Sequence, residues 1–146
     1  MDESSPNKHL SIVNHLLNND PFSQWMGIEI IGVKGGYCKI SCKITAKMLN
    51  GYSVTHGGIL FSLADTALAF AAATSGRKSL IVDHSISYTN PAKSDELIFA
   101  EATIQHQSYK ISVGTVELKN EAGQLLALSK GTVYRKSDLI EISQSD

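Results

Sequence analysis

The sequence predicts an α+β fold in which an antiparallel sheet packs one long α-helix on one face, with a shorter helix ahead of it. Three observations carry this expectation. Apolar residues recur at helical spacing in residues 8–18 and with a period of two from Gly27 onward. One later segment, residues 57–75, is apolar on nearly every side and long enough to be a buried helix. Four strand-like runs then follow, joined by connections short enough to favour antiparallel neighbours.

Taken in order, Leu10, Ile12, Val13, Leu16 and Leu17 form the apolar stripe of the first helix. Pro21 closes that stripe, and a further turn through residues 22–26 continues it. Residues 37–45 alternate, with Cys38, Ile40, Cys42 and Ile44 on one face and Lys39, Ser41, Lys43 and Thr45 on the other. Gly35-Gly36 joins this run to residues 27–34 as a hairpin. Asn50-Gly51 marks a turn, and His56-Gly57-Gly58 opens the long helix, which ends near Gly76. The last four strands are expected at residues 80–88, 96–107, 110–119 and 124–136, with turn chemistry at Asn90-Pro91, at Gln107-Ser108 and in residues 120–123. Residues 1–146 read as a single domain with its core at about 25–136, and there is no repeat or linker.

Composition removes several classes of function. Thirteen basic residues nearly balance fourteen acidic ones, so no overall field recruits nucleic acid or an anionic membrane. The start of the chain is polar, and the longest wholly apolar run, residues 67–73, is too short to cross a bilayer. Cys38 and Cys42 share a strand face about 13 Å apart, too far for a disulfide. Reduced thiols packed as small hydrophobes agree with a cytoplasmic address. The histidines show no metal-ligand spacing with the cysteines or with one another, and that includes His9, His15, His84 and His106. No serine lies in a nucleophile elbow, and the glycine pair lacks the Gly-Lys-Ser/Thr of a phosphate loop.

The long helix holds the chemistry. Leu60, Leu63, Ala64, Ala67, Leu68 and Ala71 make one face, yet Ile59, Phe61, Ala69, Phe70, Ala72 and Ala73 fill the remaining directions. A sheet covers one side only, so a second copy of the chain is expected over the rest. Asp65 stands in the middle of this segment. A buried carboxylate is costly unless paired or hydrogen-bonded. Its neighbours one turn away, Phe61, Ser62 and Ala69, offer no cation. It is therefore either satisfied by a nearby hydroxyl or main-chain donor, or it marks a functional site. The glycine pair at the helix start has two readings as well. It permits tight packing, or it bares first-turn amides that bind a developing oxyanion.

Asn50, His56-Gly57-Gly58 and Phe61-Ser62-Leu63-Ala64-Asp65 together resemble the signature of the hotdog-fold thioesterases, in particular the phenylacetate-degradation-type branch. Residues 86–88 followed by Asn90-Pro91-Ala92-Lys93 resemble the next family segment, and the likeness spans about residues 25 to 136. The resemblance implies hydrolysis of a small aryl- or medium-chain acyl-CoA, with coenzyme A entering as part of the substrate and no separate cofactor. It implies a homo-oligomer, commonly a tetramer built as a dimer of dimers, in which the acid of one subunit faces the histidine-glycine turn of its neighbour. Asp65 is then general base or nucleophile, the Gly57 amide is the oxyanion donor, Asn50 orients water or carbonyl, and His56 holds the turn. Gly58, Phe61, Met48 and Tyr52 are expected beside the acyl group, with Ile59 and Phe70 in the same wall. Lys110, Tyr109, Ser108 and Lys93 are expected to meet the coenzyme, with Arg135 and Lys136 as further cations. One departure stands out: where some relatives carry a hydroxyl on the strand after the helix, Ile81 or Val82 is expected here, with Ser85 pointing elsewhere. The rivals are a hydratase or dehydratase on the same fold and a non-catalytic acyl-CoA-binding protein. The first lacks this spacing of Asn50, His56 and Asp65, and the second has no use for the acid.

Overall fold

The computed structural model describes residues 6–142, so the polar start expected of the chain lies partly outside the described residues. Helix α1 (Pro6–Asn18) and the short α2 (Pro21–Trp25) lead into strands β1 (Glu29–Lys34) and β2 (Tyr37–Lys43). Helix α3 (Gly57–Ala73) follows, then β3 (Arg77–Tyr88), β4 (Leu97–Gln107), β5 (Ile111–Asn120) and β6 (Leu125–Leu139). The six strands form one antiparallel sheet in the order β1-β2-β4-β5-β6-β3. This is the hotdog arrangement, with α3 packed against β2, β3, β4 and β5. The largest outward shifts are in two strands: β3 starts at Arg77 rather than residue 80, and β6 runs to Leu139 rather than residue 136. Those extra residues pair with each other, Arg77 opposite Leu139.

Local chemistry explains the elements near α3. Asp20 caps α2, its carboxylate accepting from the Ser23 amide at 3.0 Å. Gly36 turns the β1–β2 hairpin at a φ of 71°, which a side chain would oppose. Its amide donates to Thr74 Oγ1 at 2.8 Å, and Thr74 in turn donates to the Ala71 carbonyl at 2.7 Å, tying the hairpin to the end of α3. Val13 of α1 joins the same core.

The core lies between α3 and the sheet. Leu63, Ala64, Ala67, Leu68 and Ala71 are buried against residues such as Ile40, Ile98, Val116 and Leu118. Each fully buried leucine or isoleucine there contributes about 1.5–3 kcal/mol. Gly114 of β5 and Gly131 of β6 pair across the sheet, and a Cβ on either would stand 2.5 Å from a Leu68 methyl. These two bare positions form a socket for Leu68 and set how closely α3 approaches β5 and β6. Cys38 and Cys42 are buried and free, as expected, and burial pushes their thiols up to about 12 and about 11. No described helix is long and apolar enough to cross a membrane.

Candidate active site

Two groups of residues stand at different levels of α3. At its N-terminus, His56 is the cap: its Nδ1 accepts from the Gly58 amide at 2.8 Å. The Ile59 and Leu60 amides both turn back to the His56 carbonyl, at 2.9 and 3.4 Å. Gly57 alone in this first turn has an amide with no hydrogen-bond acceptor among the described residues. Both glycines also have packing reasons. A Cβ at Gly58 would meet His56 Nδ1 at 3.0 Å, and one at Gly57 would meet the Tyr88 ring at 3.2 Å. Tyr88 Oη donates to the Gly57 carbonyl at 2.9 Å, fixing the turn from β3. Asn50 builds the preceding loop, its Oδ1 accepting from the Tyr52 amide at 2.9 Å and the Val54 amide at 3.3 Å. Asn50, Thr55, Gly57, Leu60 and Tyr88 share one open cleft of about 350 Å³.

Two turns further along α3 stands Asp65, about 12 Å from Gly57 by the helical rise. It is neither fully buried nor unpaired, which corrects the expectation from sequence. Its side chain is 43% exposed in the single chain, and Oδ1 lies 2.9 Å from His84 Nδ1. His84 comes from β3, nineteen positions away, so no inspection of the neighbouring helix turns would reveal it. The imidazole is 3% exposed. Its Nε2 lies 3.0 Å from Ser129 Oγ of β6, and the Phe61 ring packs on it with centroids 5.0 Å apart. The strand position beside the acid is therefore held by His84, not by Ile81 or Val82.

A bulge brings this about. Ile81 pairs with Val133 and Asp83 with Thr132, leaving Val82 as an extra residue in β3. Before the bulge Ile81 packs toward the core, whereas after it His84 and Ile86 do. Leu80 and Val82 are thereby turned outward, each 62% exposed, on β3, which is one of the two edge strands of the sheet.

The remaining expected residues are scattered in the single chain. Met48 is a core side chain, Phe70 is buried, and Tyr52 is 90% exposed on the loop that Asn50 organises. Lys93 precedes β4 and Lys110 follows it, so the eleven residues of β4 separate them by roughly 35 Å at the strand rise. At the Lys110 end Ser108 Oγ accepts from the Ile111 amide at 3.2 Å, and Arg135 donates to the Ser108 carbonyl. Arg77 lies over the Tyr109 ring, 4.6 Å from its centroid. Desolvation first, and the neighbouring Arg77 charge second, lower the pKa of Arg135. Among the described residues no cluster of three or more metal-binding side chains occurs.

Comparison with known proteins agrees with this architecture. The Thioesterase superfamily profile matches residues 52–127, which include α3 and β3 to β5. A putative esterase of Archaeoglobus fulgidus is 36% identical over 127 residues, covering 87% of this chain and 82% of that protein. The acyl-coenzyme A thioesterase PaaI of Escherichia coli is 33% identical over 120 residues, covering 82% and 86%. The solved structure of the E. coli PaaI protein superposes with a TM-score of 0.91 at 31% identity, covering 93% of this chain and 99% of that one. The chain thus belongs to the thioesterase superfamily, as a hotdog-fold, PaaI-like thioester hydrolase.

Proposed function

We propose that the chain hydrolyses the thioester of a small aryl- or medium-chain acyl-CoA, using Asp65 as general base or nucleophile and the Gly57 amide as oxyanion donor. The observation that carries this reading is a half-open carboxylate, positioned from β3, on the same helix as an unpartnered first-turn amide. Hydrolysis joins a water oxygen to the acyl carbon, breaks the carbon–sulfur bond and delivers a proton to the departing thiolate. Asp65 would take the proton from water, or attack the carbon itself and be released by water afterwards. Neither route requires a cofactor, and coenzyme A leaves as product. Asn50 borders the same cleft as Gly57, from which it would orient the carbonyl or the water.

The separation of about 12 Å supports a site shared between two copies of the chain. An oxyanion donor must lie about 3 Å from the carbonyl oxygen, and the base must reach the same centre. One chain does not satisfy both. A homodimer in which Asp65 of one copy faces the Gly57 turn of the other does, with paired dimers giving a tetramer. The exposed Leu80 and Val82 on the edge strand fit burial by that second copy. The acyl group would then lie beside Phe61 and Gly58, between α3 and the partner. Lys93 and the Ser108-Tyr109-Lys110 corner, being at opposite ends of β4, would meet one coenzyme only from different subunits.

Release of free thiol from a panel of acyl-CoAs tests this reading. Asp65→Asn is expected to lower the rate by about 10²–10⁴ while the protein sediments as the same oligomer. An active Asp65→Asn enzyme, or a wild type that sediments as a folded monomer at micromolar concentration, would overturn it. The coenzyme assignment has its own check. Lys110→Glu should raise KM with kcat kept, and an unchanged KM removes Lys110 from the site.

A further inference from the structure

We infer that His84 is the positioning residue for Asp65, and that the Asp65–His84–Ser129 chain selects which carboxylate oxygen does the work. This rests on Asp65 being the reactive carboxylate, and it adds a residue for which neither the helix motif nor the family resemblance accounts. A carboxylate only accepts hydrogen bonds, so the 2.9 Å contact with Oδ1 requires a proton on His84 Nδ1. Nε2 then faces Ser129 Oγ at 3.0 Å, where a hydroxyl donates to a bare nitrogen or accepts from a protonated one by rotation. The imidazole is accordingly satisfied at both nitrogens, 3% exposed, and pressed on one face by Phe61. It has little freedom to tilt.

The consequence falls on Asp65. Its side chain is 43% exposed on the outer side of α3 and has rotamers to choose from. Holding Oδ1 from β3 fixes the carboxylate plane and leaves Oδ2, which has no hydrogen-bond partner among the described residues, as the oxygen presented to water or to the acyl carbon. The β3 bulge at Val82 serves this contact, because it turns His84 toward the helix. His84 therefore contributes to orientation in the transition state more than to substrate affinity, since it touches neither acyl group nor coenzyme in this scheme.

Three substitutions separate positioning from packing. In His84→Asn the side-chain amide nitrogen takes the place of Nδ1 and keeps a donor for Asp65. In His84→Gln the terminal amide lies where Nε2 was, toward Ser129, and the donor to Asp65 is lost. His84→Leu has neither. We expect kcat to fall by about 10- to 100-fold in the Gln and Leu variants, with KM within about twofold of wild type, and to stay within about fivefold in His84→Asn. Equal kcat in His84→Leu and wild type, equal impairment of His84→Asn and His84→Leu, or a loss confined to KM would each overturn the inference. Asp65→Asn assayed alongside keeps the two ideas apart: its retained activity sinks the carboxylate reading, whereas an inactive Asp65→Asn with an unimpaired His84→Leu sinks only the role of His84. Imidazole nitrogen NMR of the unsubstituted protein settles the matter should the variants fail to fold. A proton on Nδ1 is expected, and a bare Nδ1 excludes the contact on which the inference depends.

Discussion

The two sides of α3 are built on opposite principles. Toward the sheet, Leu63, Ala64, Ala67 and Leu68 have no exposed surface, and the fit is close enough that two glycines are needed to seat one leucine. On the outer side, Gly58, Phe61, Ser62 and Asp65 remain partly or wholly exposed. There the polar atoms are held by single, directed contacts: His56 on the Gly58 amide, Tyr88 on the Gly57 carbonyl, Ser62 Oγ on the Gly58 carbonyl at 2.7 Å and His84 on Asp65. Packing fixes where the helix lies, and directed hydrogen bonds hold the polar groups on its outer side. Stability and activity should therefore separate along the helix circumference.

Substitutions on the two sides put that separation to the test. The largest effect is expected on the outer side. In Asp65→Asn the amide oxygen still accepts from His84, so activity should collapse as stated above while the thermal midpoint moves by no more than about 2–4 °C. A midpoint lowered much further would mean that the carboxylate charge supports the fold as well as the chemistry. On the sheet side the order reverses. Gly131→Ala places a Cβ 2.5 Å from a Leu68 methyl and 3.2 Å from the Asp83 carbonyl, so overpacking should cost about 1–3 kcal/mol in a denaturant melt. In a Leu68→Ala background the same change should cost measurably less, because its closest obstacle is gone. An undiminished cost would place the strain on the β3 backbone instead of in the socket.

Most of this architecture is written in local sequence. The Gly35-Gly36 hairpin, the helical period of α1 and the apolar length of α3 each follow from spacing and turn chemistry that act over a few residues. The acid and the glycine turn are legible for the same reason, since both lie on one helix. The partner of the acid is not. His84 meets Asp65 through pairing of distant strands, and the bulge that aims it adds one residue to β3 without any glycine or proline to announce it. A signal was nevertheless present: Leu80, Val82, His84 and Ile86 alternate, which puts an imidazole on the apolar face of a strand. The same alternation misplaces Leu80 and Val82, which the bulge turns outward on the edge strand β3. In the proposed dimer the site's second half would come from another chain, to which no periodicity within one chain refers.

The last comparison concerns the sheet side at alkaline pH, where the outer side should be a bystander. Burial holds the thiols of Cys38 and Cys42 protonated to about 12 and about 11, against 9.0 for an exposed thiol. A group whose folded form keeps its proton longer than the unfolded chain does contributes stability that is whole below the unfolded pKa. As pH rises past 9 the unfolded thiols ionise first, binding fewer protons than the folded ones, so stability must fall with pH. The slope is about 1.4 kcal/mol per pH unit for each thiol, diminishing as the folded pKa is reached. Tyr37, held up to about 12 by burial first and by Glu101 second, adds to the slope above pH 10 in the same direction. Denaturant melts from pH 8 to 11 should show this decline, and a Cys38→Ala, Cys42→Ala chain should show a shallower one. An unchanged slope in that variant would transfer the effect to Tyr37 and to groups outside the core, leaving the thiols no part in it.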